Sequence, residues 1–207
     1  MSQLARPQRG HFDLGTGYHG DLWLDLDALF LRPALLRPHI RQLAGQLSAH
    51  QADAVCGPME GGAFLALALA DILDIAFLPA ARAPAPPRRP ATDAPRYLLP
   101  QVPGGISDWR VIIADDAVNA GTAVQACADL LRGRQATVVA VAALLALGPA
   151  SGTVARAISV PFHAVGSMPS RAWHASECQL CANGVPLTDD SSRTGESSLQ
   201  LAEDGWT

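Results

Sequence analysis

The amino-acid sequence predicts an α/β protein with a doubly wound, mostly parallel sheet. Short apolar runs rich in β-branched residues recur along the chain, and such runs are typical of strands buried on both faces. Helical patterns follow several of these runs, and in two cases glycines lie between strand and helix, as in sheets that bind ligands beyond the carboxyl ends of their strands. A small N-terminal hood and a short cysteine-containing C-terminal extension complete the predicted fold.

The composition is that of one enzyme-sized domain. The 207 residues are 49% hydrophobic and 16% charged, with a net charge of −4, which argues against a nucleic-acid-binding or membrane-surface protein. No apolar run approaches the roughly 20 residues that span a bilayer, and the first residues lack the apolar core of a signal peptide. We therefore expect a cytoplasmic protein with neither nucleic-acid nor membrane partners. All fifteen basic residues are arginine.

The order of predicted elements supports the doubly wound sheet. Residues 10–33 alternate apolar and polar positions around a glycine-rich turn, which predicts a hairpin-like hood. A helix is expected over residues 38–50, with Pro38 in the first helical position. Strands are expected at residues 53–57, 75–80, 97–102, 111–114, 136–147 and 158–165, with helices after the first and the fourth.

The most informative stretch is residues 110–133. An apolar strand is closed by Asp115 and Asp116, and a loop of small residues then leads into a helix that ends at Gly133. The unpaired N–H groups and the dipole at the start of that helix favour an anion, whereas the carboxylates accept hydrogen bonds from hydroxyls or help to hold hydrated Mg²⁺. A ribose 5-phosphate has hydroxyls and a phosphate at the required separation.

The segment VIIADDAVNAGTA resembles the phosphoribosyl pyrophosphate (PRPP) binding motif of type I phosphoribosyltransferases, and it is most similar to that of orotate phosphoribosyltransferases. The resemblance implies that Asp115 and Asp116 bind the ribose hydroxyls and stabilise positive charge that grows on the sugar. The residues implied in binding the 5-phosphate are Ala117, Asn119, Ala120, Gly121, Thr122 and Ala123.

A second glycine-containing turn resembles the pyrophosphate-binding loop of the same family. The residues implied there are Gly57, Pro58, Met59, Glu60 and Gly61, together with Arg82. Glu60 puts a negative charge where an anion would bind. The alternative is a tight turn that only lets the helix pack closely on the strand.

The proline-rich segment after residue 80 is expected to be an exposed, mobile loop. In the resembled family a loop at this point closes over PRPP and brings basic side chains to the pyrophosphate, which implies catalytic roles for Arg88 and Arg89. The orotate enzymes carry lysines and a histidine there, and this loop has only arginines, so activity on orotate is left open. A solvated linker is the alternative.

The pattern GHFDLGTGYHGDLWLDL resembles the N-terminal segment of orotate phosphoribosyltransferases, where it helps to cover the base. Phe12 and Tyr18 are therefore implied in base binding, with His19 and Asp21 as polar candidates beside them. A solvent-exposed hairpin is the alternative.

Cys178 and Cys181 have C-x-x-C spacing, and His174 lies four residues before the first of them. These three side chains are potential zinc ligands, although a closed tetrahedral site needs a fourth. A redox or purely structural cysteine pair is the alternative. The resemblance covers residues 10–187 as one domain, and the polar, serine-rich residues 188–207 are expected to form a poorly ordered tail.

The resemblance implies a reaction and partners for this chain. A nucleobase nitrogen, expected to be that of orotate, would attack C1 of PRPP with the assistance of Mg²⁺ and release pyrophosphate, a step of pyrimidine nucleotide synthesis. Two alternatives are a PRPP-binding sensor without transferase activity and a salvage enzyme for another base. Members of the family are commonly homodimers, so a homodimer is expected here.

Overall fold

The structure is a computed structural model, and it describes residues 5–15, 17–59, 61–84 and 95–188. Glu60, Arg88, Arg89 and residues 189–207 lie outside the described residues, so the hypotheses on these positions stay predictions.

The strands of the described residues are β1 (Gln8–Asp13), β2 (Tyr18–Trp23), β3 (Ala54–Pro58), β4 (Ala76–Arg82), β5 (Tyr97–Leu98), β6 (Arg110–Val118), β7 (Thr137–Leu147), β8 (Phe162–Met168) and β9 (Ala172–His174). The α-helices described are α1 (Asp27–Phe30), α2 (Pro33–Leu47), α3 (Gly61–Leu73), α4 (Thr122–Arg132), α5 (Thr153–Ala157) and α6 (Gln179–Ala182).

Across the described residues, the main sheet has the strand order β5-β4-β3-β6-β7-β8. All neighbouring strands are parallel except β5, which pairs antiparallel with β4 at the edge. From β3 the chain passes through α3 to β4, and from β6 it passes through α4 to β7 in the opposite direction. The strand order therefore reverses between β3 and β6, and such a reversal opens a crevice at the carboxyl ends of the two strands. The predicted doubly wound sheet is confirmed.

Helices cover both faces of this sheet because alternate strand residues point to opposite faces. Val55 and Ile112 pack with the apolar stripes of α2 and α3 on one face. Cys56 and Ile113 pack with α4 and α5 on the other face. The continuous apolar runs of β3, β6 and β7 follow from this burial on both faces.

The predicted hood is a second sheet with the order β1-β2-β9, as far as the described residues show. The hairpin of β1 and β2 confirms the predicted N-terminal strand pair. Strand β9, which comes from the C-terminal segment, pairs antiparallel with β2 and sets Tyr18 opposite His174. The amide of Thr188 also donates a 2.7 Å hydrogen bond to the carbonyl of His11. Both ends of the described chain therefore build the hood.

Several predicted boundaries were wrong. Helix α2 begins at Pro33, so Pro38 lies inside it, where it cannot donate the usual helical hydrogen bond to the carbonyl of the exposed residue Ala34. Strand β6 continues through both aspartates to Val118, because its pairing with β7 extends that far. Strand β5 contains only two of the six predicted residues. Strand β8 begins at Phe162, since the short helix α5 and its exit occupy the preceding residues.

Candidate active site

The candidate active site lies at the carboxyl ends of β3 and β6. Asp115 and Asp116 lie near the C-terminal end of strand β6. Asp115 is buried and Asp116 is partly buried. The amide of Asp116 donates to Asp115 Oδ1 at 3.1 Å, and the amide of Ala117 donates to Asp116 Oδ1 at 2.7 Å. These backbone hydrogen bonds hold the two carboxylates side by side.

The environment of this pair disfavours negative charge. Burial, and next the neighbouring charge of Asp116, raise the pKa of Asp115 well above its ordinary value. Burial also raises the pKa of Asp116. Because the two groups interact closely, they titrate as a pair. A ligand that brings positive charge or hydroxyl donors to the site would reverse this preference and favour the ionised carboxylates.

Two glycines let the start of α3 approach this pair. A Cβ atom on Gly61 would collide with the carboxylate of Asp116, and one on Gly62 would lie 2.6 Å from Asp115 Oδ1. At Gly57 a Cβ atom would lie 2.6 Å from that of Ala66, so this glycine lets α3 pack closely on β3. The N-terminal end of α3, where unpaired N–H groups give a partial positive charge, therefore lies beside both aspartates.

The small-residue loop leads from β6 into α4 as predicted. Gly121 has a φ of 80°, a left-handed conformation that favours glycine, and a Cβ atom there would collide with Val154. Its carbonyl accepts the first helical hydrogen bond, from the amide of Gln125 at 2.9 Å. The next residue, Thr122, begins α4, so its hydroxyl and the first amides of the helix lie at the end of the loop.

A small cavity of about 150 Å³ joins this loop to the hood. Its lining residues are Leu14, Gly15, Tyr18, Asp115, Ala117, Val118, Asn119, Ala120, Gly121, Thr122, Ala123 and Ala172. The structure thus brings the predicted 5-phosphate residues together with one aspartate and with the predicted base-binding Tyr18. Leu14, Gly15, Val118 and Ala172 also line the cavity and were not among the predicted site residues. The first two belong to the predicted turn region, whereas nothing near Ala172 in the sequence indicates its approach to residues so distant in the chain.

Other predicted residues lie farther from this cavity. Phe12 is buried within the hood, with its ring 6.2 Å from that of Trp23, and it does not line the cavity. Met59 is exposed directly after β3, where its amide donates to the carbonyl of Ala80 at 2.8 Å. Arg82 is exposed at the end of β4, the strand next to β3.

The ends of the proline-rich segment are held close to the site. The amide of Ala83 donates to the carbonyl of Arg96 at 2.8 Å, and Arg82 pairs with Tyr97 across β4 and β5. Arg96 also lines a second cavity of about 560 Å³ that reaches Gly121 and Thr122 from the side of α4 and α5. The arginine-bearing segment therefore leaves and rejoins the sheet beside the candidate site.

Among the described residues, the predicted metal ligand His174 does not belong to a cluster of potential metal ligands. It lies on β9, where its Nδ1 is 2.7 Å from the hydroxyl of Ser176. Cys178 and Cys181 instead lie next to two histidines of the hood, His11 and His19. The C-x-x-C spacing drew attention to the two cysteines of this cluster, whose role as metal ligands stays a prediction, but the histidines approach them only through the pairing of distant strands.

Comparison with known proteins agrees with this architecture. A model of the "Phosphoribosyl transferase domain" family matches residues 30–161. The orotate phosphoribosyltransferase of Carboxydothermus hydrogenoformans is 30% identical over 188 residues, covering 89% of this chain and 90% of that protein. The orotate phosphoribosyltransferase of a Thermoanaerobacter species is 28% identical over 193 residues, covering 93% of this chain and 94% of that protein.

Solved structures show the same fold. Adenine phosphoribosyltransferase from Thermoanaerobacter pseudethanolicus superposes with a TM-score of 0.62 at 20% identity, covering 81% of this chain and 97% of that one. Orotate phosphoribosyltransferase from Aeropyrum pernix gives a TM-score of 0.59 at 22% identity, covering 78% and 88% of the two chains. Because the family model spans more than half of the sequence and contains the acidic pair and its loop, this chain belongs to the phosphoribosyltransferase family and is an enzyme of that class.

Proposed function

We propose that the enzyme transfers the ribose 5-phosphate of PRPP to orotate and releases pyrophosphate, a step of pyrimidine nucleotide synthesis. The observation that carries this proposal is the cavity in which Tyr18 of the hood faces the loop of residues 119–123 and Asp115. This arrangement suits a planar base beneath the hood, a ribose beside the carboxylates and a phosphate at the start of α4. The full-length similarity to orotate phosphoribosyltransferases favours orotate as the base.

The roles proposed for the site residues follow from their chemistry. Asp115 and Asp116 accept hydrogen bonds from the ribose hydroxyls and stabilise positive charge on C1 as the bond to pyrophosphate breaks. The loop amides and the Thr122 hydroxyl donate to the 5-phosphate. The turn between β3 and α3, together with Arg82 and the arginines of the proline-rich segment, binds the pyrophosphate, since guanidinium groups bind phosphate oxygens bidentately.

The acidic pair also fits the Mg²⁺ expected with PRPP. One buried and one partly buried carboxylate, both with raised pKa values, supply the oxygen donors that Mg²⁺ prefers, and neither forms a salt bridge among the described residues. When bound, Mg²⁺ neutralises negative charge on the diphosphate leaving group. Asp115 and Asp116 would hold it through its water shell or through the ribose hydroxyls.

Three further expectations belong to this proposal. Residues 10–187 form the transferase domain, which the pairing of β2 with β9 supports. The protein is cytoplasmic, in keeping with four cysteines that form no disulfide in the structure. The enzyme is a homodimer, supported by exposed apolar side chains on α3. No helix among the described residues is long and apolar enough to cross a membrane.

The test is a calorimetric titration of PRPP with Mg²⁺ into the protein, followed by orotate and, in a parallel cell, by adenine. We expect binding of PRPP, then heat of turnover and release of pyrophosphate with orotate, with kcat/KM for adenine at least about 10²-fold lower. Turnover with adenine alone would replace orotate by another base. Binding of PRPP without turnover on either base would favour a PRPP-binding sensor without transferase activity. The absence of lysine from the proline-rich segment is the observation that supports this alternative.

A further inference from the structure

Four side chains with soft donor atoms meet at the edge of the hood. His11 lies on β1, His19 lies on β2, and Cys178 and Cys181 come from the C-terminal segment around α6. Their ligand atoms all lie within 4.8 Å of one another. We propose that these four residues bind one Zn²⁺ ion, which fastens the C-terminal segment to the N-terminal hood. This inference is independent of the proposed transferase reaction.

The distances fit a tetrahedral site. His11 Nε2 lies 3.1 Å from His19 Nδ1, 3.4 Å from Cys178 Sγ and 3.6 Å from Cys181 Sγ, and Cys181 Sγ lies 3.3 Å from His19 Nδ1. With normal Zn–N and Zn–S bond lengths, neighbouring ligand atoms of a tetrahedral His₂Cys₂ site are about 3.3 to 3.8 Å apart. These four distances lie close to that range and no pair of ligand atoms is more than 4.8 Å apart, so small side-chain movements would close the four groups around one ion.

Hydrogen bonding prepares His11 as a ligand. Its Nδ1 lies 2.7 Å from the carbonyl oxygen of Val185, which accepts only a hydrogen bond, so the ring proton belongs on Nδ1. Nε2 then faces the cluster with its lone pair. A hydrogen bond from Nδ1–H to a backbone carbonyl is the outer contact that typically orients a zinc-bound histidine.

A cation explains the convergence on His11 better than hydrogen bonds do. One lone pair accepts one hydrogen at a time, yet Nε2 has three close neighbours. His11 is 1% exposed and Cys178 is 3% exposed, so water offers these two groups little compensation. A zinc ion would satisfy all four donor atoms at once. Both thiols ionise on binding and release two protons, so two thiolates balance the charge of Zn²⁺.

The position of the cluster indicates a structural role. The hood is a small sheet whose strands come from both ends of the described chain, and such small sheets commonly need a cross-link for stability. His19 follows Tyr18, which lines the candidate active-site cavity. Four protein ligands would close the coordination shell, as in structural zinc sites. The ion would thus fix the hood over the cavity without joining the chemistry.

The experiment is the zinc content of the full chain, purified without chelators and measured by atomic emission. We expect about one equivalent of zinc in the wild type and less than about a tenth in Cys178→Ser and His19→Gln. The matched control is His174→Gln, a histidine close in sequence but outside the cluster, which should keep the full equivalent. Less than a tenth of an equivalent in the wild type, equal loss in the control, or stoichiometric iron in place of zinc would overturn the proposal.

Substitution of Co²⁺ covers the case in which a variant fails to fold. Wild-type protein stripped of zinc at low pH and returned to neutral pH should bind one equivalent of Co²⁺ and acquire the intense visible absorption of tetrahedral cobalt with thiolate ligands. Zinc should then displace the cobalt and remove that absorption. The spectrum of octahedral cobalt, or no binding, would contradict a His₂Cys₂ site.

Discussion

At the scale of single residues, the role proposed for the acidic pair opposes the stability of the ligand-free fold. Asp115 is buried beside Asp116, and both pKa values are raised. A carboxyl group with a raised folded-state pKa stabilises the fold when protonated, and that contribution is lost as the pH rises through the folded-state pKa. At pH values above the raised pKa values, the ionised pair therefore lowers the free energy of unfolding of the ligand-free enzyme.

Replacement of Asp115 by Asn tests both sides of this opposition. We expect kcat to fall by at least about 10²-fold, because a neutral amide stabilises positive charge on the sugar poorly. The melting temperature of the ligand-free variant should exceed that of the wild type at pH 8, and the difference should shrink as the pH falls below the raised pKa. Steady-state kinetics and calorimetric melting at several pH values measure the two effects.

The matched control for this variant is Asp129→Asn, which changes an exposed acid of α4 that lies 3.2 Å from Arg132. An exposed ion pair contributes little, so neither turnover nor stability should change appreciably. Wild-type turnover in Asp115→Asn would remove this carboxylate from the mechanism.

At the scale of elements, the close approach of α3 to β6 holds the acidic pair in place. Gly61→Ala would put a methyl group into the Asp116 carboxylate, so either the side chain or the helix must move. A displacement of about 1 Å in a catalytic group is expected to cost on the order of 10²-fold in kcat/KM. Kinetic assays of the purified variant measure this loss.

Gly45→Ala is the control for this substitution. Gly45 lies inside α2, and a Cβ atom there has nothing within 4 Å. Alanine at that position should keep wild-type activity and raise the free energy of unfolding by about 0.5–1 kcal/mol through helix propensity. If Gly61→Ala were as active as this control, the approach of α3 would not matter for catalysis.

The sequence predicted those elements that a single local pattern determines. It failed to predict boundaries and strands that depend on tertiary contacts. The apolar run of residues 111–114 identified the central strand, but the extension of β6 to Val118 depends on its pairing with β7. Pro38 looked like a helix start, and Pro33 takes that position because the apolar stripe begins with Leu36. The three-residue strand β9 is too short to produce a periodic signal.

At the scale of the whole molecule, the sites assemble from segments that are far apart in the chain. Asp115 and the loop after it were found from sequence because one continuous motif carries them. The contacts of Ala172 with the cavity and of His11 with Cys178 required the pairing of β2 with β9, which no local pattern indicates. A continuous local motif therefore predicted the acidic pair and the loop after it, whereas the way in which the C-terminal segment completes the hood depends on strand pairing.

Exposed apolar side chains on α3 predict that the protein associates with a second copy of itself. Phe64 is 56% exposed and Leu67 is 53% exposed on α3, and Leu31 is 75% exposed beside them. Together with neighbouring residues of α1 and α2, Phe64 lines an apolar groove of about 640 Å³. Apolar surface on an ordered helix favours association, and a two-fold dimer needs only one such patch, used by both subunits.

We expect the wild type to have the mass of a dimer in light scattering, and the double variant Phe64→Glu/Leu67→Glu to have that of a monomer. Two carboxylates at the centre of an apolar interface would be buried without partners, which strongly opposes association. The control is Leu98→Glu, since Leu98 is also exposed, at 51%, but belongs to the edge strand β5 and not to α3, and this variant should stay dimeric. A monomeric wild type would contradict the homodimer, and a double variant that stays dimeric would move the interface to another face. Because glutamate on the exposed face of a helix leaves the core intact, unchanged melting curves would separate lost association from lost folding.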